Sequence, residues 1–305
     1  MTIGIPRALA YYRYSHLWET FFDQCKLPYI LSPDTNTKIL QRGSLWSVDE
    51  NCLPLKLFMG HVEQLLAHTE YIFVPYLKSQ GRKDEFCVRF WGLPDVVRAS
   101  FPQAKVISYT LSSKSPVAQA RAFVALGTSL GVSPQRALMA YQKASQAQNQ
   151  AQGERLAQAQ EKLTKTKPKI LVAGQSYVVN DPLAGKMVTG LIEAQGGVAL
   201  TCDAWPRDLC QKQAQKLSKD LPWGLNREIL GAIYEAQGQV EGIILLTAFP
   251  CGSDCLANEL VLRRVKQLPV MQILLDEHMG QEGLRTRIES FMDMLEAQRQ
   301  RRRVV

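Results

Sequence analysis

Residues 242–265 read GIILLTAFPCGSDCLANELVLRRV and join a predicted strand to a predicted helix through a cysteine. The short apolar run at 242–246 is bounded by turn residues, which predicts a strand buried in a sheet. Residues 256–265 have helical character. Cys251 is therefore predicted to lie in the turn after the strand, at the strand's carboxyl end, where open α/β sheets bind ligands. Either Ser253 or Asp254 is predicted as the N-cap of the helix.

The same alternation of short apolar runs and helical stretches recurs along most of the chain. Strands are predicted at 2–5, 29–32, 71–75, 106–108, 170–173, 198–201, 242–246 and 270–275. Helices are predicted between them, for example at 11–25 and 54–68. Because strands that alternate with helices are typical of parallel sheets covered by helices, the sequence predicts an α/β fold. We expect two Rossmann-like parallel-sheet domains that face a central cleft.

The composition changes between residues 116 and 167, where Ala, Gln and Lys are frequent and strand-forming residues are few. Leu156, Ala159 and Leu163 recur at helical spacing, so this segment is predicted to be a helical connector. The predicted organisation is an N-terminal α/β domain at 1–115, the connector at 116–167, and a C-terminal α/β domain with a terminal helix at 168–305.

Composition and charge narrow the class of protein. No apolar run in the 305 residues approaches the ~18 that a membrane helix needs, and the N-terminus lacks the features of a secretory signal. We therefore expect a cytoplasmic protein whose seven cysteines are reduced thiols, metal ligands or catalytic groups rather than disulfides. The net charge of +8 does not indicate nucleic-acid binding, because half of it comes from Arg299, Arg301, Arg302 and Arg303. Glycine-rich phosphate loops are absent from the sequence, so ATP hydrolysis is not expected on this chain.

Cys52 and Cys87 are two further cysteines predicted to lie just before helices. Cys52 precedes Pro54, a residue favoured in the first helical turn, and Pro94 opens a helix shortly after Cys87. A thiolate in such a position is stabilised by the helix dipole and by backbone N–H groups. Because iron–sulfur clusters are held by thiolates, Cys52, Cys87 and Cys251 are predicted to be cluster ligands.

The alternative for each of these residues is a structural role. Cysteines often serve as small buried hydrophobic residues, and this interpretation fits Cys25, Cys202 and Cys210. For any single candidate ligand, the residues alone favour neither this structural role nor iron binding. Cys255, four residues after Cys251, is either a fourth ligand or a bystander. The sequence has no C-x-x-C motif that would indicate a zinc ribbon or a ferredoxin-type site.

Two histidines and three cations lie near the candidate ligands. His61 and His278 are groups that could transfer protons, but surface hydrogen bonding or helix capping is the preferred interpretation for both. The cations could compensate cluster or phosphate charge, although exposed positions on helices are the commoner case. These cations are Lys56, Arg89 and Arg98.

Several segments together resemble a known family. They are residues 3–9 (IGIPRAL), 50–56 (ENCLPLK), 87–95 (CVRFWGLPD) and 249–252 (FPCG), with a closing stretch at 276–287. The chain resembles the stand-alone proteins related to 2-hydroxyacyl-CoA dehydratases, benzoyl-CoA reductases and their activases, described as CoA protein activase or acyl-CoA dehydratase activase-related proteins. The resemblance spans almost the whole chain and is weakest in the connector.

The resemblance implies two α/β domains that hold a [4Fe–4S] cluster through three cysteines, which match Cys52, Cys87 and Cys251. It also implies that low-potential electrons arrive from an ATP-dependent, ASKHA-type iron–sulfur activase and pass to a CoA thioester. One related branch carries a double-cubane cluster and reduces small molecules. Position 255 is more usually Ser in this family, so Cys255 leaves the fourth ligand open. A fourth thiolate would make the cluster a relay, whereas an open position would let substrate or water bind iron.

The sequence thus predicts an iron–sulfur protein that accepts electrons from such an activase and relays them, or uses them on a CoA-linked or small substrate. Whether the chain is itself a dehydratase- or reductase-type component stays open. The alternative is a non-enzymatic regulatory or assembly subunit with a structural cluster or zinc, whose basic C-terminal helix docks a partner. Both interpretations allow a homo- or heterodimer.

Overall fold

A computed structural model describes residues 1–79, 81, 84–278 and 280–304, which form a mixed α/β fold with parallel sheets. The chain divides into two compact units. The first comprises Met1–Gly153 and Pro222–Gly224, and the second comprises Glu154–Leu221 and Leu225–Val305. The three-part division at residues 115 and 167 stays a prediction, as does the arrangement of two Rossmann-like domains around a cleft.

The first unit contains a parallel sheet whose described strands have the order β2-β1-β3-β5. A second parallel pair, β4 with β6, continues the pairing of β3 with β5 at the same offset, since Tyr71 pairs with Lys105 and Tyr76 with Thr110. The elements are β1 (Ile3–Ile5), α1 (Tyr11–Cys25), β2 (Tyr29–Leu31), α2 (Thr37–Leu45), α3 (Leu53–Leu66), β3 (Tyr71–Phe73), β4 (Tyr76–Leu77), α4 (Val88–Trp91), α5 (Leu93–Ser100), β5 (Lys105–Ile107), β6 (Thr110–Leu111), α6 (Pro116–Ser129) and α7 (Pro134–Leu163).

The second unit begins within α7 and contains a parallel sheet with the order β10-β9-β7-β8. Its elements are β7 (Lys169–Ala173), α8 (Ser176–Val179), α9 (Gly185–Ala194), β8 (Val198–Thr201), α10 (Arg207–Gln213), α11 (Gly224–Ala236), β9 (Gly242–Ala248), α12 (Gly252–Arg264), β10 (Val270–Leu275) and α13 (Gln281–Val304). In both main sheets the first strand lies between the second and the third. The two units therefore share a strand order that the sequence does not reveal as a repeat.

The core of the first unit is aromatic. Phe73 on β3 contacts Trp18 and Phe22 of α1 edge to face, at ring-centroid distances of 5.0 and 5.2 Å. The buried Trp18 indole N–H donates a hydrogen bond of 3.1 Å to the Tyr109 hydroxyl. Because a buried indole N–H needs a partner, this bond fixes the orientation of α1 on the sheet.

The core of the second unit is built around β9, every residue of which is buried. A Cβ on Gly242 would lie 2.9 Å from Cζ of Phe291, so glycine lets α13 approach the sheet closely. Near the end of α13, Arg299 donates a hydrogen bond of 2.6 Å to the Thr166 carbonyl, and its side chain is only 20% exposed. The C-terminal helix is therefore packed at Arg299.

Most of the predicted elements are confirmed within a residue or two of their ends. The ranges Tyr11–Cys25, Val198–Thr201 and Val270–Leu275 match the prediction residue for residue. The predicted connector is helical and consists largely of α6 and α7. No helix among the described residues has both the length and the apolar character needed to cross a membrane.

Candidate metal centre

Cys52, Cys87 and Cys251 each occupy the N-cap position of a helix, directly before its first turn. This confirms the prediction that each precedes a helix. All three are half-buried, whereas the three cysteines interpreted as hydrophobic core residues are buried. None of the three N-cap side chains makes a capping hydrogen bond in these described helices. Each thiol therefore lies beside the backbone N–H groups of a helix start, with part of its surface accessible.

Cys52 is positioned by a tight contact between α2 and α3. A Cβ on Gly43 would lie 1.8 Å from the Lys56 carbonyl oxygen, and a Cβ on Gly60 would lie 2.0 Å from the Ile39 carbonyl oxygen. Such distances are far shorter than any van der Waals contact, so the two helices pack backbone to backbone. The start of α3, and with it Cys52, is held in place by this contact.

His61 lies inside the first unit rather than on its surface. Its side chain is 0% exposed, its Nε2 lies 3.0 Å from Thr35 Oγ1, and its buried Nδ1 has no hydrogen-bond partner. Burial, and secondarily the positive charge of Arg7, lowers the pKa of His61 to about 4. The expectation of surface hydrogen bonding or helix capping is therefore wrong, and His61 is a neutral core residue at physiological pH.

The three candidate cations differ in their surroundings. Lys56 is only 5% exposed, so the expectation of an exposed helix position is wrong for it, while Arg89 is exposed as expected. Arg98 Nη1 donates to Tyr76 Oη at 2.7 Å and to Asp95 Oδ1 at 2.9 Å. The charge of Arg98 is thus already compensated locally, and Lys56 is the buried cation of the set.

Cys87 follows a loop that is anchored on the first unit. Phe86 is buried against Phe90, with ring centroids 5.7 Å apart. The Phe86 N–H donates to the Lys78 carbonyl at 3.1 Å, and Trp91 Nε1 donates to the same carbonyl at 2.6 Å. Although α4 is only four residues long, Cys87 is therefore fixed between anchored neighbours.

Cys251 is the third residue after β9 and has a different electrostatic environment from the one expected. Its Sγ lies 3.4 Å from Ser253 Oγ. Burial, and secondarily the charge of Asp254, raises the pKa of Cys251 to about 12. The expected stabilisation of this thiolate by the helix start is therefore outweighed by desolvation. The predicted N-cap is also wrong, because Cys251 caps α12 and both Ser253 and Asp254 lie in its first turn.

Cys255 lies one helical turn after Cys251. Its backbone N–H donates to the Cys251 carbonyl at 3.0 Å, and its side chain is exposed. Residues four apart lie on the same side of a helix, about 5–6 Å apart between Cβ atoms. The position suits a fourth ligand as well as a bystander, so both alternatives stay open.

A buried polar cluster beside Cys251 was not predicted from the sequence. Asp254 is 4% exposed, and its Oδ1 accepts hydrogen bonds from Gln175 Nε2 at 2.8 Å and Asn226 Nδ2 at 2.6 Å. Burial raises the pKa of Asp254 even though these amides favour its charged form. The one sequence signal was that Gln175 and Asp254 each closely follow a predicted strand.

The remaining candidate, His278, is exposed and lies 3.6 Å from Glu277 through its Nε2. It fits the surface role that the sequence suggested. Across residues 1–79, 81, 84–278 and 280–304, no group of three or more His, Cys, Asp or Glu side chains is placed to hold a metal ion.

These features define a mixed α/β protein with parallel sheets and three half-buried cysteines at helix starts. The sequence model of the family described as "CoA enzyme activase uncharacterised domain" matches residues 2–204. The chain belongs to this family, which confirms the resemblance drawn from its motifs. The match contains Cys52 and Cys87, whereas Cys251 and Cys255 lie beyond it. No curated protein matches the chain.

Proposed function

We propose that this protein binds a [4Fe–4S] cluster through Cys52, Cys87 and Cys251 and accepts low-potential electrons from an ATP-dependent activase. It relays these electrons or uses them on a CoA-linked or small substrate, and each unit is a Rossmann-like domain. The observation that carries the proposal is that these three thiols are N-cap residues and half-buried. Membership in a CoA enzyme activase-related family supports the choice of redox partner.

The chemistry of the three positions suits such a cluster. A cluster bound there would supply one-electron transfer at low potential. The thiolates would ligate iron, and the N–H groups at the helix starts would favour the negative charge of the cluster and its sulfur ligands. Because no preformed group of metal ligands is present among the described residues, the proposal rests on the position of each thiol.

The raised pKa of Cys251 has a consequence for loading. A coordinating thiol is deprotonated outright by its metal ion, so iron binding at Cys251 must displace a proton that the thiol otherwise holds up to about pH 12. We therefore expect cluster assembly to be favoured as pH rises. Asp254, whose own pKa is raised by burial, hydrogen-bonds the Cys251 thiol and would orient it.

The test is anaerobic reconstitution with iron and sulfide of the wild type beside Cys52→Ala, Cys87→Ala, Cys251→Ala and Cys255→Ala. Cys210→Ala is the matched control, because Cys210 is buried and is not a proposed ligand. We expect about four irons per chain in the wild type and in the control, with loss in the first three variants. Iron and sulfide counts, visible spectra and EPR after reduction are the readouts.

The outcome for Cys255→Ala separates a relay from a site with an open position. Retention of the cluster would leave one iron free for substrate or water, whereas loss would make Cys255 the fourth ligand. A wild-type protein that stays colourless under all conditions would contradict the redox proposal. A colourless protein that binds zinc through the same cysteines would instead establish the structural alternative.

A further inference from the structure

A cavity in the second unit, distinct from the candidate metal centre, lies between the last two turns of α7, the helix α9 and the end of β8. Its volume is about 260 Å³. Pockets for drug-sized ligands occupy about 300–1,000 Å³, so this one suits a smaller molecule. It adjoins the carboxyl end of β8, the edge strand of the sheet. We call it the α7–α9 pocket.

One end of the α7–α9 pocket is electrostatically satisfied. Lys162 Nζ donates to the Ala199 carbonyl at 3.0 Å and lies 3.4 Å from Glu193 Oε1. The charge of Lys162 is thus compensated within the protein. A ligand in the α7–α9 pocket would therefore have to be bound by side chains other than Lys162.

Two further cations line the α7–α9 pocket. Arg155 precedes Lys162 by seven residues on α7, and Lys186 precedes Glu193 by seven residues on α9. Seven residues span about 10 Å along a helix axis. The Nε of Arg155 is buried and has no hydrogen-bond partner. An unsatisfied buried N–H on a charged group is unfavourable, so an acceptor brought against the Arg155 guanidinium by a bound ligand would stabilise it.

The carboxylate of Asp203, which also lines the pocket, already has hydrogen-bond donors on both oxygens. Oδ1 accepts from Thr201 Oγ1 at 2.6 Å, and Oδ2 accepts from Asn180 Nδ2 at 2.7 Å. These bonds hold the carboxylate in a fixed orientation and lower its demand for a cation. With three cations against two carboxylates in its lining, the pocket carries an excess positive charge suited to an anion.

We propose that the α7–α9 pocket binds a phosphate group, either as inorganic phosphate or as part of a small phosphorylated metabolite, with Arg155 and Lys186 as its cationic partners. Guanidinium N–H groups match the tetrahedral oxygens of phosphate, and a lysine adds a point charge. Phosphate is favoured over a carboxylate because its four oxygens offer more acceptors to Arg155 and Lys186 than the two oxygens of a carboxylate do. This site is independent of the proposed iron–sulfur function.

The test is a thermal-shift and calorimetric titration of the full chain, without reconstitution, with inorganic phosphate and separately with glycerol 3-phosphate. Sodium chloride at matched ionic strength controls for screening. The variants are Arg155→Gln and Lys186→Gln. The matched control is Lys212→Gln, which makes the same charge change at an exposed residue of the same unit that does not line the pocket.

We expect saturable phosphate binding in the wild type and in Lys212→Gln. In Arg155→Gln the affinity for phosphate should fall about tenfold or more, because a charge-assisted hydrogen bond is lost. Lys186→Gln should weaken phosphate binding by a smaller factor. Because Lys186 is exposed, this variant should fold, and its affinity tests the proposal if Arg155→Gln fails to fold. Tighter binding of glycerol 3-phosphate would identify an ester as the ligand, and tighter binding of inorganic phosphate the free ion. Equal affinity in the wild type and both pocket variants, or no effect beyond that of chloride, would overturn the proposal.

Discussion

The helices α3 and α12 both begin at a candidate ligand, yet they are held in place by different forces. Eleven of the fourteen residues of α3 are buried, and two glycines bring its backbone against α2. Only four of the thirteen residues of α12 are buried. Two of these four, Asp254 and Asn258, are polar and make hydrogen bonds with buried partners.

The difference shows that two similar local motifs can depend on different kinds of interaction. The position of Cys52 depends on the shape of two packed backbones, which tolerates no added volume. The position of Cys251 depends on buried hydrogen bonds, which tolerate a change of volume but not the loss of an acceptor. Mutations that act on shape or on hydrogen bonding should therefore affect the two helices separately.

The largest effect is expected from Gly60→Ala, because its Cβ would lie 2.0 Å from a backbone oxygen that cannot rotate away. We expect the free energy of unfolding of the first unit to fall by more than about 3 kcal/mol. Urea unfolding, with hydrogen exchange to distinguish the units, measures it. The control Gly153→Ala lies in α7 with open space around the new methyl group, and should gain up to about 1 kcal/mol. Wild-type stability in Gly60→Ala would contradict the tight contact.

The second prediction uses the titration of His61 on α3. Its pKa of about 4 lies below the ordinary value of 6.5, so between these values the unfolded state binds a proton that the folded state does not. Stability should therefore fall as pH drops from about 6.5 to about 4, by about 3 kcal/mol, with no contribution from His61 above that window. Comparing urea unfolding of the wild type and His61→Gln across this range isolates the effect. The same pH slope in both proteins would show that His61 is not the group responsible.

The third prediction concerns the hydrogen bonds at α12. Asp254→Ala would leave the buried amides of Gln175 and Asn226 without this acceptor, and should cost about 2–3 kcal/mol. Asp254→Asn keeps an oxygen at the position that accepts both bonds, so a much smaller loss is expected. Hydrogen exchange should localise the change to the second unit. Equal losses in the two variants would mean that charge, and not hydrogen bonding, holds the start of α12.

The smallest effect is expected at the N-cap of α2, where Asn36 Oδ1 accepts a hydrogen bond of 3.1 Å from the Ile39 N–H. Asn36→Ala should lower the unfolding free energy by about 1 kcal/mol, and Asn36→Asp should retain most of it. Cys52→Ala removes an N-cap side chain that makes no capping bond, so no capping loss is expected there. Thermal unfolding of Asn36→Ala, Asn36→Asp and Cys52→Ala beside the wild type measures these losses of stability. A loss in Cys52→Ala as large as in Asn36→Ala would show that the thiol stabilises α3 after all.

Much of the fold could be predicted because its signals are local. Short apolar runs marked the strands, and helical stretches such as Tyr11–Cys25 were located to the residue. The positions of Cys52, Cys87 and Cys251 before helices were also predicted, since proline and polar residues mark helix starts. The burial of His61 and Lys56 was not predicted, because each looks like a polar residue of an amphipathic helix until a second helix covers it.

The sequence by itself determined the alternation of strands and helices, the placement of three cysteines at helix starts, and membership in the family. The first two properties depend mainly on residues close together in the chain, whereas family membership rests on a match that extends over residues 2–204. Only the tertiary structure decided the backbone contact at Gly43 and Gly60, the hydrogen bonds to Asp254 and the cationic lining of the α7–α9 pocket. Desolvation and close packing are sums over neighbours distant in the chain, so no local pattern of residues encodes them.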